Sequence, residues 1–237
     1  MTKGKLYLIP NKLGENSLEM ILPMGVMSFV GQLRIFAVEN VKFARRLLRQ
    51  MDASFPIDAS IFVELNKRSN EQDINILVKY LLEGKDVGII SDAGCPGIAD
   101  PGSQLVAAAH KNNLFVVPFV GPSSILLSLM ASGFSGQKFS FHGYIPKERK
   151  KRIDMIRIME QSVLKTGATQ VFIETPFRNS NLLDDLFGTL NETTFLCVAS
   201  SISTPQERIR TKSIAEWKRK NFSIDKVPAI FLLGLPQ

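Results

Sequence analysis

Asp92 and Asp100 lie within S-D-A-G-C-P-G-I-A-D-P-G, residues 91–102, a stretch with three glycines, two prolines and almost no bulky side chain. Two carboxylates with no lysine between them suit a cationic ligand better than a polyphosphate, and a carboxylate can also accept a proton. The glycines and prolines impose an unusual backbone path, denser in special residues than a plain surface turn needs. Two readings stand side by side for the acids. One is chemistry on a ligand, the other the capping of backbone N–H groups inside their own loop.

Further polar clusters follow apolar runs. V-P-F-V-G-P-S-S ends in Ser123 and Ser124, whose hydroxyls either cap a following helix or bond a polar ligand. F-I-E-T-P-F-R places an acid, a hydroxyl and a base, Glu174, Thr175 and Arg178, in one short stretch. K-E-R-K-K-R, residues 147–152, is the most basic run and reads equally as a phosphate-contacting patch or as a solvated helix start.

The elements that must position these groups are legible from periodicity. Short apolar runs predict strands over residues 5–9, 35–38, 86–90 and 115–119, alternating with helices over 41–50, 70–83 and 104–109. Strands alternating with helices imply a parallel sheet, and the loops after strands 5–9, 86–90 and 115–119 then share the edge where such sheets bind ligands. After Gly121 the pattern becomes a helix over 123–130, a strand over 139–143, a basic helix over 147–164 and strands over 170–173, 195–199 and 229–233. A helix over 179–190 falls among them. The expectation is an α/β N-terminal domain over 1–120 and an α+β domain with a mixed sheet over 121–237, with Gly121 as the hinge.

A chain of 237 residues, 45% hydrophobic, supports an ordinary globular core and argues against disorder. No apolar run approaches the roughly 18 residues of a membrane span, and no signal-peptide pattern opens the chain, so a cytoplasmic protein without a membrane partner is expected. Two cysteines and two histidines, scattered, predict no metal site, and Cys197 in its apolar run reads as a buried thiol. The net charge of +7 favours polyanionic partners.

In their order and spacing, S-D-A-G-C-P-G-I-A-D-P-G, V-P-F-V-G-P-S-S, F-H-G-Y-I-P-K and F-I-E-T-P-F-R resemble the motifs of the tetrapyrrole methylase superfamily. The likeness is closest to its ribosomal RNA small subunit methyltransferase I branch, and it runs from Leu6 nearly to Leu233. The opening strand is not followed by G-x-G-x-x-G, which separately disfavours a dinucleotide-binding domain. The resemblance implies two α/β domains with S-adenosylmethionine in the cleft between them, a homodimer, and methyl transfer. The positions it implies for the cofactor are Pro10, Asp92, Ala93, Gly94, Cys95, Pro96, Ile98, Ser123, Ser124, Glu174, Thr175, Ala199, Ser200 and Ala229. The implied substrate is 16S ribosomal RNA at a ribose 2′-hydroxyl, and Glu39, Asp92, Asp100 and Glu174 are the carboxylates available to take its proton. Lys147, Arg149, Lys150, Lys151, Arg152 and Arg178 are the candidate nucleic-acid contacts.

The chain also departs from that branch. Pro10-Asn11-Lys12-Leu13-Gly14-Glu15 stands for P-T-P-I-G-N, Glu39-Asn40-Val41-Lys42 for E-D-T-R, and Ser200-Ser201-Ile202-Ser203-Thr204 for R-E-L-T-K. The branch's helical extension after the last strand finds no counterpart in the sequence. These changes keep two alternatives in view: methylation of a small molecule such as a tetrapyrrole, and a noncatalytic RNA-binding or assembly factor that retains the fold.

Overall fold

The computed structural model describes residues 2–66, 71–220, 222–224 and 226–236. The chain divides into two compact units, Met1–Ser123 and Ser124–Gln237.

The first unit runs β1 (Lys5–Ile9), α1 (Met24–Val30), β2 (Ile35–Val38), α2 (Val41–Met51), β3 (Ile61–Glu64), α3 (Glu71–Leu82), β4 (Val87–Ile90), α4 (Gly102–Lys111) and β5 (Phe115–Pro118). Its five strands lie in the order β3-β2-β4-β1-β5, all parallel. Strands β2 and β4 are buried along their whole length, which is why they read as unbroken apolar runs. Successive side chains feed opposite faces. Ile9, Phe36 and Val38 pack with Val30 of α1 and Leu47 of α2, whereas Leu6, Ile35 and Ile89 pack with Leu77 of α3 and Leu105 of α4. Neighbouring strands β1 and β4 therefore send their chains onto opposite faces, and a crevice opens between their carboxyl ends.

The second unit contains α5 (Ser124–Ser132), β6 (Phe139–Tyr144), α6 (Arg149–Thr166), β7 (Thr169–Glu174), α7 (Asn179–Thr189), β8 (Phe195–Ser200), β9 (Arg208–Ser213), α8 (Ile214–Arg219) and β10 (Ala229–Gly234). Its sheet has the order β6-β7-β10-β8-β9, with β6 parallel to β7 and the remaining pairs antiparallel. The mixed sheet expected here is present. One face packs Phe172, Val198 and Phe231 under α6, α7 and Trp217, and the other packs Val171, Cys197 and Leu232 under Leu129 of α5. Cys197 is fully buried, and that burial pushes its thiol up to about 11.

Four elements were not expected from periodicity: α1, β3, β9 and α8. Strands β3 and β9 are sheet edges, and neither has the buried run that marks a central strand. Strand β9 alternates long cations with Ile209 and Thr211, so only its single Ile209 contributes to an apolar run. The expected helix start at Asn70 falls outside the described residues. No helix among the described residues is long and apolar enough to cross a membrane.

Candidate active site

The crevice at the ends of β1 and β4 is closed by direct pairing of the loops that follow them. Asn11 N donates to Gly94 O at 2.9 Å and Gly94 N returns a bond to Asn11 O at 3.0 Å. Gly94 has φ +70, a conformation that strains a residue carrying Cβ, so the exchange depends on glycine here. The Asn11 side chain, buried, donates from Nδ2 to Ser91 O and to Asp92 O, both at 3.0 Å. An asparagine amide supplies those donors and a threonine hydroxyl does not supply both, which accounts for one departure at the first loop.

The loop after β5 joins the same edge. The Cys95 thiol donates to Pro122 O at 3.3 Å. Gly121 lies against buried Pro10, where an added Cβ would stand 2.2 Å from Pro10 Cβ. Gly121 is thus fixed by packing. Ser123 ends the first unit, and Ser124 opens α5 of the second.

The acids of this edge separate into two kinds. Asp100 Oδ1 accepts from Gly97 N at 2.6 Å and Gly102 N at 2.8 Å, so this residue caps its own loop. Its Oδ2 is buried and has no hydrogen-bond partner among the described residues; the nearby Ser91 hydroxyl donates to Ala93 O at 2.7 Å. Burial lifts the Asp100 carboxyl, and the two amide bonds only partly oppose this. The Asp92 side chain makes no hydrogen bond among the described residues, and desolvation, then the nearby Asp100 charge, raises its carboxyl. Glu39, at the end of β2, accepts Asp92 N on Oε1 at 3.2 Å. Asn40, where an acid was expected by resemblance, caps α2 by accepting from Lys42 N at 2.9 Å. Ala93 and Ile98 are exposed beside these carboxylates, and Pro96 is buried beneath them. Asn11, Asp92 and Ala93 also border a cavity of about 340 Å³ against Phe43 and Arg46 of α2.

In the second unit the candidates fall in one row. Ala229 is paired with Glu174 on one side and with Ser200 on the other, so the ends of β7 and β8 and the start of β10 bring these three together. Ala199, one position inside that row, is fully buried. Glu174 is buried; its Oε1 accepts Thr175 N at 2.6 Å and an N–H of Arg178, while Oε2 makes no hydrogen bond among the described residues. Arg178 Nε donates to Thr175 Oγ1 at 3.2 Å, closing a three-residue knot.

Arg178 is thus turned onto Glu174. The basic run is bonded within the second unit as well. Arg152 is buried, with Nε and a terminal nitrogen on Asp185 Oδ2 at 2.8 and 2.6 Å and a further bond to Lys147 O at 2.8 Å. Arg149 Nε meets Asp185 Oδ1 at 2.9 Å from an exposed position, and Lys151 pairs with Glu148 at 2.7 Å. Lys147 and Lys150 make no ion pair among the described residues. The run is therefore partly a structural clamp between α6 and α7, with two cations left over.

Comparisons with known proteins agree with this architecture. The family model described as Tetrapyrrole (Corrin/Porphyrin) Methylases matches residues 33–218. A ribosomal RNA small subunit methyltransferase I of Vibrio cholerae serotype O1 is 30% identical over 89% of this chain and 69% of its own length. Its counterpart from Buchnera aphidicola subsp. Schizaphis graminum is 26% identical over 97% of this chain and 78% of its own. Among solved structures, uroporphyrin-III C-methyl transferase from Thermus thermophilus, complexed with S-adenyl homocysteine, has a TM-score of 0.57 at 18% identity. That match covers 98% of this chain and 97% of the other.

Proposed function

The chain belongs to the tetrapyrrole methylase family, whose membership makes it an S-adenosylmethionine-dependent methyltransferase, and on that premise we propose that its methyl acceptor is a ribose 2′-hydroxyl of 16S ribosomal RNA. The observation that carries the reading is the stitched edge of the first unit, where three loops are bonded to one another around exposed Asp92.

The donor set suits that cofactor. Glu39, Asp92 and Asp100 put carboxylates at one edge, with no Lys or Arg in residues 91–102, and a sulfonium cation is favoured there as a polyphosphate is not. On the first unit, backbone groups of Ala93, Gly94 and Cys95, with Pro10 and Ser123, would hold it. S-adenosylmethionine, when bound, supplies an electrophilic methyl group. What remains for the protein is alignment of the acceptor hydroxyl and removal of its proton.

Asp92 is the carboxylate assigned to that proton. It is exposed and unbonded, and its raised carboxyl brings its affinity for a proton nearer to working pH than an ordinary aspartate's. Asp100 is spent on loop amides and Glu174 on Arg178. Glu39 positions the loop through Asp92 N.

RNA as the acceptor is supported by the net charge of +7 and by the names of the curated relatives. A homodimer in the cytoplasm completes the proposal. Calorimetry with S-adenosylmethionine and its demethylated product tests the first half, and absence of binding at millimolar concentration overturns it. Mass spectrometry of 16S ribosomal RNA from a deletion strain tests the second. One ribose methyl group should disappear, and an unchanged methylation pattern refutes the assignment.

A further inference from the structure

A second concave surface, lying wholly within the second unit, is used by none of the groups assigned above except Ser200. It is a cavity of about 450 Å³ whose lining includes Ser200 of β8, Arg208 and Arg210 of β9, Trp217 of α8, Lys220 just beyond it, and Phe222. Alternate residues of a strand project to one face roughly 6.8 Å apart, so Arg208, Arg210 and Lys212 rise together along β9. Their register partners Ser200, Val198 and Leu196 fix which face this is. It is the face covered by Trp217, whose Nε1 donates to Leu196 O at 2.9 Å.

The cations there, Arg208, Arg210, Lys212 and Lys220, form no close ion pairs among the described residues. Glu207 accepts Ser203 N at 2.8 Å, and Glu216 accepts Ser213 N at 3.0 Å in a capping box while attracting Lys212 from beyond ion-pair distance. Lys212 Nζ lies 5.9 Å from the centre of the Trp217 ring. Contact with Lys220, then desolvation and the repulsion of Lys220 and Arg210, outweighs the attraction of Glu216 and pushes the Lys212 ammonium below its ordinary value. Lysines on an edge strand often serve only to keep that edge from pairing with another sheet. Such a guard needs neither a cavity nor an aromatic floor. Nor does it need a fourth cation, from another element, held against the third at a cost in repulsion.

We propose that this cavity, with Lys212 next along β9, binds the phosphodiester backbone of the RNA substrate, Arg208, Arg210, Lys212 and Lys220 meeting successive phosphate oxygens. The proposal rests on RNA being the substrate and names the surface that holds it. Arginine supplies forked donors for two oxygens of one phosphate, and the paired lysines supply point charges whose mutual repulsion an anion relieves.

The test is anisotropy of a fluorescein-labelled single-stranded RNA copied from small-subunit ribosomal RNA, titrated with the full chain at about 50 to 300 mM salt. Each phosphate contact on a single strand contributes about 0.7 to the slope of log affinity against log salt. The triple variant Arg208→Gln, Arg210→Gln, Lys212→Gln should lower that slope by about 2 and weaken binding about 100-fold at the lowest salt. Its affinity for S-adenosylmethionine, read by calorimetry, should be unchanged, which also shows that the variant is folded. Arg208→Lys with Arg210→Lys keeps the charge and should keep the slope. If the wild-type chain binds RNA with the expected salt dependence and the triple variant matches it, the cavity assignment alone is overturned. If the wild-type chain shows no salt-dependent RNA binding, the RNA reading falls and this proposal with it.

Discussion

Replacing Asp185 by Asn separates the structural part of the basic run from the part open to a polyanion. The Asp185 side chain is 3% exposed and that of Arg152 9%, with Nε and a terminal nitrogen of the guanidinium on a single carboxylate oxygen. Removing one partner of a buried pair leaves an uncompensated charge, at a cost of about 3–5 kcal/mol. Asparagine keeps the shape and one acceptor, and Arg152 keeps its bond to Lys147 O, so the low end applies, about 3 kcal/mol. The exposed Arg149 should matter far less, and Arg149→Gln should cost under about 1 kcal/mol. Trp217 is the only tryptophan and is buried in the core of the second unit, so its fluorescence in urea reports this unit directly. With a slope of about 2 kcal/mol per molar, the midpoint for Asp185→Asn should fall by about 1.5 M. The effect is pH dependent in a fixed sense. Burial lifts the Asp185 carboxyl, but the bonds from Arg149 and Arg152 outweigh that and hold it below its ordinary 3.8. A depressed acid stabilises the fold above its unfolded value and loses that contribution as pH falls through the folded one. The gap between wild type and Asp185→Asn should therefore be full at neutral pH and close below about pH 4. Equal small losses for Asp185→Asn and Arg149→Gln would refute the clamp and return Arg152 to the RNA-contacting set.

Three further outcomes follow from the loop edge of the first unit. Gly121→Ala drives a Cβ into the rigid Pro10 ring, so it should lower stability by about 1–3 kcal/mol and weaken S-adenosylmethionine binding at least about tenfold by calorimetry, whereas an unchanged affinity would show that the loops after β1 and β5 need not touch. Asn11→Ala strands two loop carbonyls and should cost about 1–3 kcal/mol in thermal unfolding, with Asn11→Asp no better because a carboxylate donates nothing. Asp92→Asn should lower the methyl-transfer rate about 10²–10⁴-fold while cofactor affinity changes little, and should abolish the rise in rate as pH climbs past the raised Asp92 carboxyl; a pH profile identical to wild type would pass the role to Glu39.

Much of this was legible in the residues themselves. Central strands buried on both faces read as continuous apolar runs, and the strand-to-loop order by itself places three polar loops at one sheet edge. The two strands that escaped, β3 and β9, are edges: β3 is only four residues long and partly exposed, and β9 interleaves cations with its inward residues. Asn11 and Asn40 escaped for a different reason. They appeared as losses against a resembled motif, and only the hydrogen bonds of Asn11 to Ser91 and Asp92, and of Asn40 to Lys42 and Phe43, show what they do.

Local pattern thus determined the elements, the shaped loops and the acidic, lysine-free character of residues 91–102, because period and backbone constraints act between near neighbours. Which charges are free was decided by the tertiary structure alone. Asp185 lies 33 residues from Arg152 and neutralises it, whereas Arg208, Arg210, Lys212 and Lys220 reach the folded state without described counter-ions. A charge is read from one residue, but its availability depends on a partner that only folding brings within about 4 Å.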